Sequence, residues 1–191
     1  RGGGLMAKNK WRIKEAVKIA EEAALKALRT GAEAILTEAI DETPVETGTL
    51  RRSGTVTIGG IPDAAKVYEA AEAGTDQKDG GTIGKEKAVY ISFNTPYALV
   101  VHEGAAPHKI TVDTAKSLAV PVRKWKGDVN PYGSGKLPML SKDGKYVLLG
   151  RSVNHPGSTG FKYLENAFNR NKQKVLKYAD KQTKKTLEKA K

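Results

Sequence analysis

Residues 9–42 read NKWRIKEAVKIAEEAALKALRTGAEAILTEAIDE, and this stretch decides the fold. It holds no proline and one glycine, Gly31. Ile13, Val17, Ala20, Ala24, Leu28, Ala32, Ile35 and Ala39 recur at helical spacing and form one apolar stripe, which Leu25, Leu36 and Ile40 widen. Glu15, Lys18, Glu22, Lys26, Arg29, Glu33 and Glu38 fall mostly on the other face. The pattern predicts an amphipathic helix with Asn9 as N-cap. Pro44 ends it, because the proline ring disfavours helical geometry at Thr43. Alanine dominates the stripe, which suits close packing. Gly31 costs about 1 kcal/mol relative to alanine in a helix interior, and so marks a bend or a point of close approach.

Reading outward, a second long helix begins after Gly160. Phe161, Leu164, Phe168, Val175 and Tyr178 form its apolar side, with Ala167 and Ala179 filling in. Beyond Tyr178 only Leu187 is large and apolar, so residues 179–191 are expected to leave the core as a basic helical tail. Between the helices, alternating apolar residues predict strands at 55–58, 87–94, 110–112, 117–123 and 145–153. The last two read as a hairpin with an extended tip. Pro96 to Glu103 is short and either helical or strand-like. Residues 59–86, ordered only near Val67 to Ala73, and residues 126–144 are rich in turn formers and read as mobile insertions. The fold class is α+β: a long N-terminal helix, a small antiparallel β-sheet of four or five strands with long loops, and a long C-terminal helix. Residues 9–178 are expected to form a single domain. Residues 1–8 are expected to be a disordered segment, with 1–5, ahead of Met6, read as a cloning remnant.

Composition narrows the function. The chain has 191 residues, 39% of them hydrophobic and only 6% aromatic, with a net charge of +12. It has no cysteine, which excludes disulfides, thiolate-held zinc, iron–sulfur clusters and a thiol nucleophile. No apolar run approaches the roughly 18 residues of a membrane span. The N-terminus lacks the apolar stretch of a signal peptide, so folding in a cytoplasm is expected. Gly80-Gly81-Thr82-Ile83-Gly84-Lys85 fails as a phosphate-binding loop: Asp79 stands at the first glycine and Glu86 at the magnesium-binding hydroxyl. Gly133-Ser134-Gly135-Lys136 fails in the same way. His102 and Glu103 lack the second histidine of a zinc helix, and no G-x-S-x-G elbow is present. No cofactor and no metal are expected. The positive charge is concentrated at one end, where residues 161–191 carry ten basic and three acidic side chains. Lys174, Lys177, Lys181, Lys184 and Lys185 are the candidates for contact with DNA or an acidic partner, and a solvated face is the plainer alternative.

Three stretches carry a family resemblance. Thr43-Pro44-Val45-x-Thr47-Gly48-x-Leu50-Arg51-x-Ser53 follows the first helix. Tyr97-Ala98-x-x-Val101-His102-Glu103-Gly104 follows a strand. Val153-Asn154-His155-Pro156-Gly157, then Phe161-x-x-Leu164-x-x-Ala167, opens the last helix. Together they resemble the neck or tail-completion proteins of long-tailed bacteriophages, also described as minor capsid or minor tail proteins. His102 stands where an acidic or aromatic residue is more usual, and Gly160 replaces a proline.

The resemblance implies a structural virion protein of the head–tail junction, assembled in the host cytoplasm, and not an enzyme. It implies a ring of identical subunits, expected to be sixfold, between head-side connector and tail-side proteins, with DNA in the channel. No membrane and no small-molecule substrate are implied. Thr47, Gly48, Leu50, Arg51 and Arg52 are the candidate subunit or partner interface, with the arginines offering salt bridges or bidentate contacts. A plain capped loop with solvated arginines fits the same residues. His155-Pro156-Gly157 reads as a rigid turn, and Tyr97 and Phe161 read as core anchors.

Overall fold

The computed structural model describes residues 3–129 and 138–190, with side chains from residue 12 onward. Its contacts divide the chain into two compact units, Arg1–Glu103 with Gly160–Lys191, and Gly104–Thr159.

The first unit is built on two long helices, α1 (Gly3–Glu42) and α5 (Tyr163–Lys189). They run antiparallel: Arg170 and Asn171 of α5 meet Glu38 near the end of α1, and Val175 lies against Gly31. Between them in sequence come α2 (Thr49–Arg52), β1 (Gly54–Ile58), α3 (Ala64–Glu72), β2 (Asp79–Thr82), β3 (Val89–Phe93) and α4 (Ala98–Glu103). β1 is central in a three-stranded sheet, antiparallel to β3 in the register Val56↔Ile91 and parallel to β2. The wide apolar stripe of α1 serves two partners. Ala32, Leu36 and Ile40 pack with Val56 and the apolar residues of β3. Ile35 and Ala39 pack with Leu50, Ala98, Tyr163 and Ala167. This explains why Leu36 and Ile40 had to widen the stripe.

The second unit holds short strands: β4 (Gly104–Ala105), β5 (His108–Thr111), β6 (Leu118–Pro121), β7 (Met139–Leu140), β8 (Tyr146–Gly150), β9 (Ser152–His155) and β10 (Ser158–Thr159). β8 pairs antiparallel with both β6 and β7, as the predicted hairpin requires, and its Val147 is buried. β5 pairs with β9 and β4 with β10.

The α+β class and the two long helices stand as expected, but among the described residues the single sheet of four or five strands is four small sheets. α1 starts at Gly3, so Asn9 lies inside the helix and does not cap it. Residues 59–86 carry a helix and a strand. Asp63 caps α3 by accepting from the backbone N–H groups of Ala65 and Lys66, and β2 adds to β1 through its backbone despite having no apolar residue. Of residues 126–144, 130–137 lie outside the described residues. α5 stays on the core past Tyr178: Ala179 is buried, and the helix continues to Lys189. A small side chain lets helices touch, so the loss of large apolar residues does not end the contact. Tyr97 and Phe161 are not core anchors, being 39% and 54% exposed. Tyr163 takes that role. It is buried, stacks edge-on against Phe93 and His102, and donates to the Ala98 carbonyl at 3.2 Å.

Candidate interaction surface

The turn after α1 is held by its own polar groups. Thr43 Oγ1 donates to the Ala39 carbonyl at 2.8 Å, and Pro44 then turns the chain. Gly48, at φ +80°, adopts the left-handed conformation that begins α2, which a side chain would disfavour. Arg51 folds back onto the end of α1. Its Nε and Nη2 donate to the Thr43 carbonyl at 3.1 and 2.9 Å, and Nη2 also reaches the Asp41 carbonyl at 3.2 Å. A cation on unsatisfied C-terminal carbonyls is the favourable sign for the helix dipole. Arg52 points the other way, donating through Nε to the Ala71 carbonyl at 2.8 Å and through Nη2 to the Thr47 carbonyl at 3.3 Å. Leu50 is buried in the core. Of the five expected interface residues, Thr47, Gly48, Leu50 and Arg52 line an open cleft, Leu50 also packing the core, while Arg51 braces the end of α1.

That cleft has a volume of about 870 Å³. Pro44, Val45, Thr47, Tyr97 and Val101 line it, and Tyr68 of α3 closes one side. Glu46 and Glu72 add negative charge. Tyr68 Oη donates to Glu72 Oε1 at 3.1 Å, and that bond pushes the phenol pKa up. Val45 is 58% exposed here, and on the neighbouring α4 Leu99 is 71% exposed and Val100 about half. Sequence reading reached Thr47, Gly48, Leu50 and Arg52 but gave no role to Tyr68 or Glu72, which lie within Val67 to Ala73, the ordered part of the segment read as an insertion.

His102 and Glu103 are engaged in holding the start of α5. His102 Nδ1 lies 2.7 Å from Glu103 Oε1, while Nε2 accepts from the Glu165 backbone N–H at 3.3 Å. That assigns the ring proton to Nδ1. Lys162 also pairs with Glu103, and its N–H donates to the His102 carbonyl at 2.9 Å. The Lys162 pairing, then His102, holds the Glu103 carboxyl below its ordinary range, and Glu103 in turn raises Lys162. Lys162 sits at φ 52°, an uncommon conformation for a residue with a side chain, and these contacts hold it there. His155 belongs to the second unit, where its Nδ1 accepts from the Gly157 N–H at 3.1 Å in the His-Pro-Gly turn. Among the described residues no group of three or more His, Asp or Glu side chains is placed to hold a metal.

Across the α1–α5 seam, Arg170 bridges Glu38 and Glu42, and Asn171 donates to Glu38. Arg170 first, then Asn171, holds the Glu38 carboxyl below its ordinary range. Further along α5, Lys174, Lys177, Lys181, Lys184 and Lys185 are all exposed. At about 100° per residue they fall within an arc of roughly 100°, along about 16 Å of helix. Lys184 pairs with Asp180 at 2.7 Å.

Residues 7–119, more than half of the chain, match the family described as "Bacteriophage HK97-gp10, putative tail-component". The chain belongs to the HK97-gp10-like family. It is a structural protein of the phage tail region, a virion component whose partners are other virion proteins, in a family of structural parts rather than enzymes. The match covers α1, the cleft and α4, and stops before the His155-Pro156-Gly157 turn. Searches of curated proteins and of solved structures returned no match.

Proposed function

We propose that this HK97-gp10-like protein is a neck or tail-completion subunit. Copies of it form a ring, sixfold in our reading, at the head–tail junction, and the ring lets the tail join the DNA-filled head. The observation that carries this is the apolar surface left outside a small core in a member of a tail-component family: Val45 and Tyr97 stand exposed in one cleft, and Leu99 and Val100 stand exposed on α4, the helix that lends Val101 to that cleft. Exposed apolar clusters rimmed by polar groups mark surfaces meant for protein partners. Thr47 and Gly48 belong to this surface. Leu50 and Arg52 line the cleft with them, and Arg51 braces the end of α1.

Deleting the gene and imaging the lysate by electron microscopy tests the reading. Filled heads beside unattached tails are expected, and normally joined particles would refute it.

The lysine stripe of α5 favours a second reading, non-specific DNA binding, with the stripe holding DNA by charge in the ring channel or on the free chain. Duplex affinity of the whole chain should then fall steeply with salt. Each Lys→Gln change at Lys174, Lys177 or Lys181 should lower the log–log salt slope by about 0.9. A slope unmoved by these changes removes the stripe from any DNA contact.

A further inference from the structure

The apolar stripe of α1 runs past the reach of α5. With Val175 against Gly31 and the helices antiparallel, Lys189 comes level with about residue 17. Near and beyond that level Ile13 is 63% exposed and Val17 50%, one turn apart on the same face. The surrounding sequence is basic: Lys8, Lys10, Arg12 and Lys14 precede the first acidic residue, Glu15. The cleft has the complementary character. Val45, Tyr97 and Val101 give it an apolar lining, and Glu46 and Glu72 outnumber its one basic lining residue, Arg52, whose guanidinium donates to the Ala71 and Thr47 carbonyls. Two apolar anchors at i and i+4 entering such a groove is the helix-in-groove mode of recognition, and the cleft volume lies in the range of ligand pockets.

The helix cannot serve its own cleft. Pro44 and Val45 follow immediately on the C-terminal end of α1, whereas Ile13 lies 29 residues earlier, about 44 Å up the same continuous helix. A contact between them has to join two molecules. It joins different surfaces on each, the head-to-tail arrangement that closes into a ring when the rotation closes.

We infer that the N-terminal part of α1, through Ile13 and Val17, docks in the Val45–Tyr97 cleft of the next copy. The inference rests on the ring reading and specifies how the subunits are joined. The chain has no cysteine, which makes the test direct. Phage carrying the full-length chain with Ile13→Cys and Val45→Cys together is purified, and particles are treated with a short bismaleimide. Both positions are exposed, so folding is not at stake. The expected result is a ladder of covalent oligomers, with no covalent dimer of the chain from either single variant, and weakened when Glu46→Lys and Glu72→Lys are added. Particles that contain the protein but give no ladder overturn the docking and leave the ring reading standing, as does a covalent dimer of the chain from Ile13→Cys alone. Joined particles that lack the protein overturn both.

Discussion

Gly31→Ala should weaken the helix pair although alanine is the better helix former. In an isolated helix the change gains about 1 kcal/mol. Here a Cβ at position 31 would lie 3.0 Å from Val175 Cβ and closer still to both Val175 methyls. Rotating Val175 gives no relief. A β-branched side chain on a helix holds one χ1 rotamer, and its Cβ does not move with χ1. The helices must therefore separate locally, and overpacking of this kind costs about 1–3 kcal/mol. The net expectation is a loss of about 1 kcal/mol, or about 2–4 °C in Tm for a chain of this length. Val175→Ala removes the obstruction. Alone it costs about 1 kcal/mol, two methyl groups at about 0.8 kcal/mol each and half-buried. Combined, the two changes should be more stable than their sum by about 1–3 kcal/mol. Far-ultraviolet circular dichroism during thermal and urea unfolding reads all four proteins of the cycle. Additivity within about 0.3 kcal/mol would refute the close crossing, whatever the sign of the single changes.

Arg51→Ala should cost about 1–2 kcal/mol by stripping the Thr43 and Asp41 carbonyls of their donor. Arg51→Lys should recover only part, since an ammonium cannot fork across both; a thermal melt equal to wild type would count against the clamp. Glu38 has a folded-state pKa below its ordinary 4.5, so its contribution is complete above that value and is lost as pH falls through the depressed one. The Tm difference between wild type and Glu38→Gln should be largest above roughly pH 5 and shrink on acidification; a difference that widens would contradict the Arg170 pairing. Burial pushes the Tyr163 phenol up to about 12 from 10, so the neutral form is the folded one, and stability present below pH 10 is lost as pH rises toward 12. Alkaline titration at the phenolate band should show a late component that Tyr163→Phe removes. The same substitution should cost about 1 kcal/mol at neutral pH for the lost bond to Ala98.

Legibility in the sequence followed the range of the physics. Periodicity found α1 and α5, because a helix face is a local pattern. The β6–β8 hairpin and the His155-Pro156-Gly157 turn came from strand alternation and turn chemistry, which are also local. Strand β2 was invisible: Asp79-Gly80-Gly81-Thr82 has no apolar residue and exists because β1 offers it backbone partners. Tyr97 and Phe161 were misplaced because aromaticity predicts burial only on average, and in this fold Ala98 and Tyr163 face inward beside them. The candidate surface was half legible. Thr47 and Gly48 sit in a recognisable turn motif, but the roles of Arg51 and Arg52 depend on which carbonyls the fold brings within reach.

By itself the sequence determined two long amphipathic helices joined through short strands, an excess of positive charge on the last helix, and a chain without thiol chemistry. Each follows from residue type and spacing along the chain. Only the tertiary structure decided which residues meet. It set Gly31 against Val175, turned Arg51 onto the end of α1, and placed Tyr68 and Glu72 across from Val45 to make a cleft. It also put that cleft at one end of α1 while exposed Ile13 and Val17 lie toward the other. These are distances between residues far apart in sequence. They are set by the packing of whole elements, and no local pattern contains them.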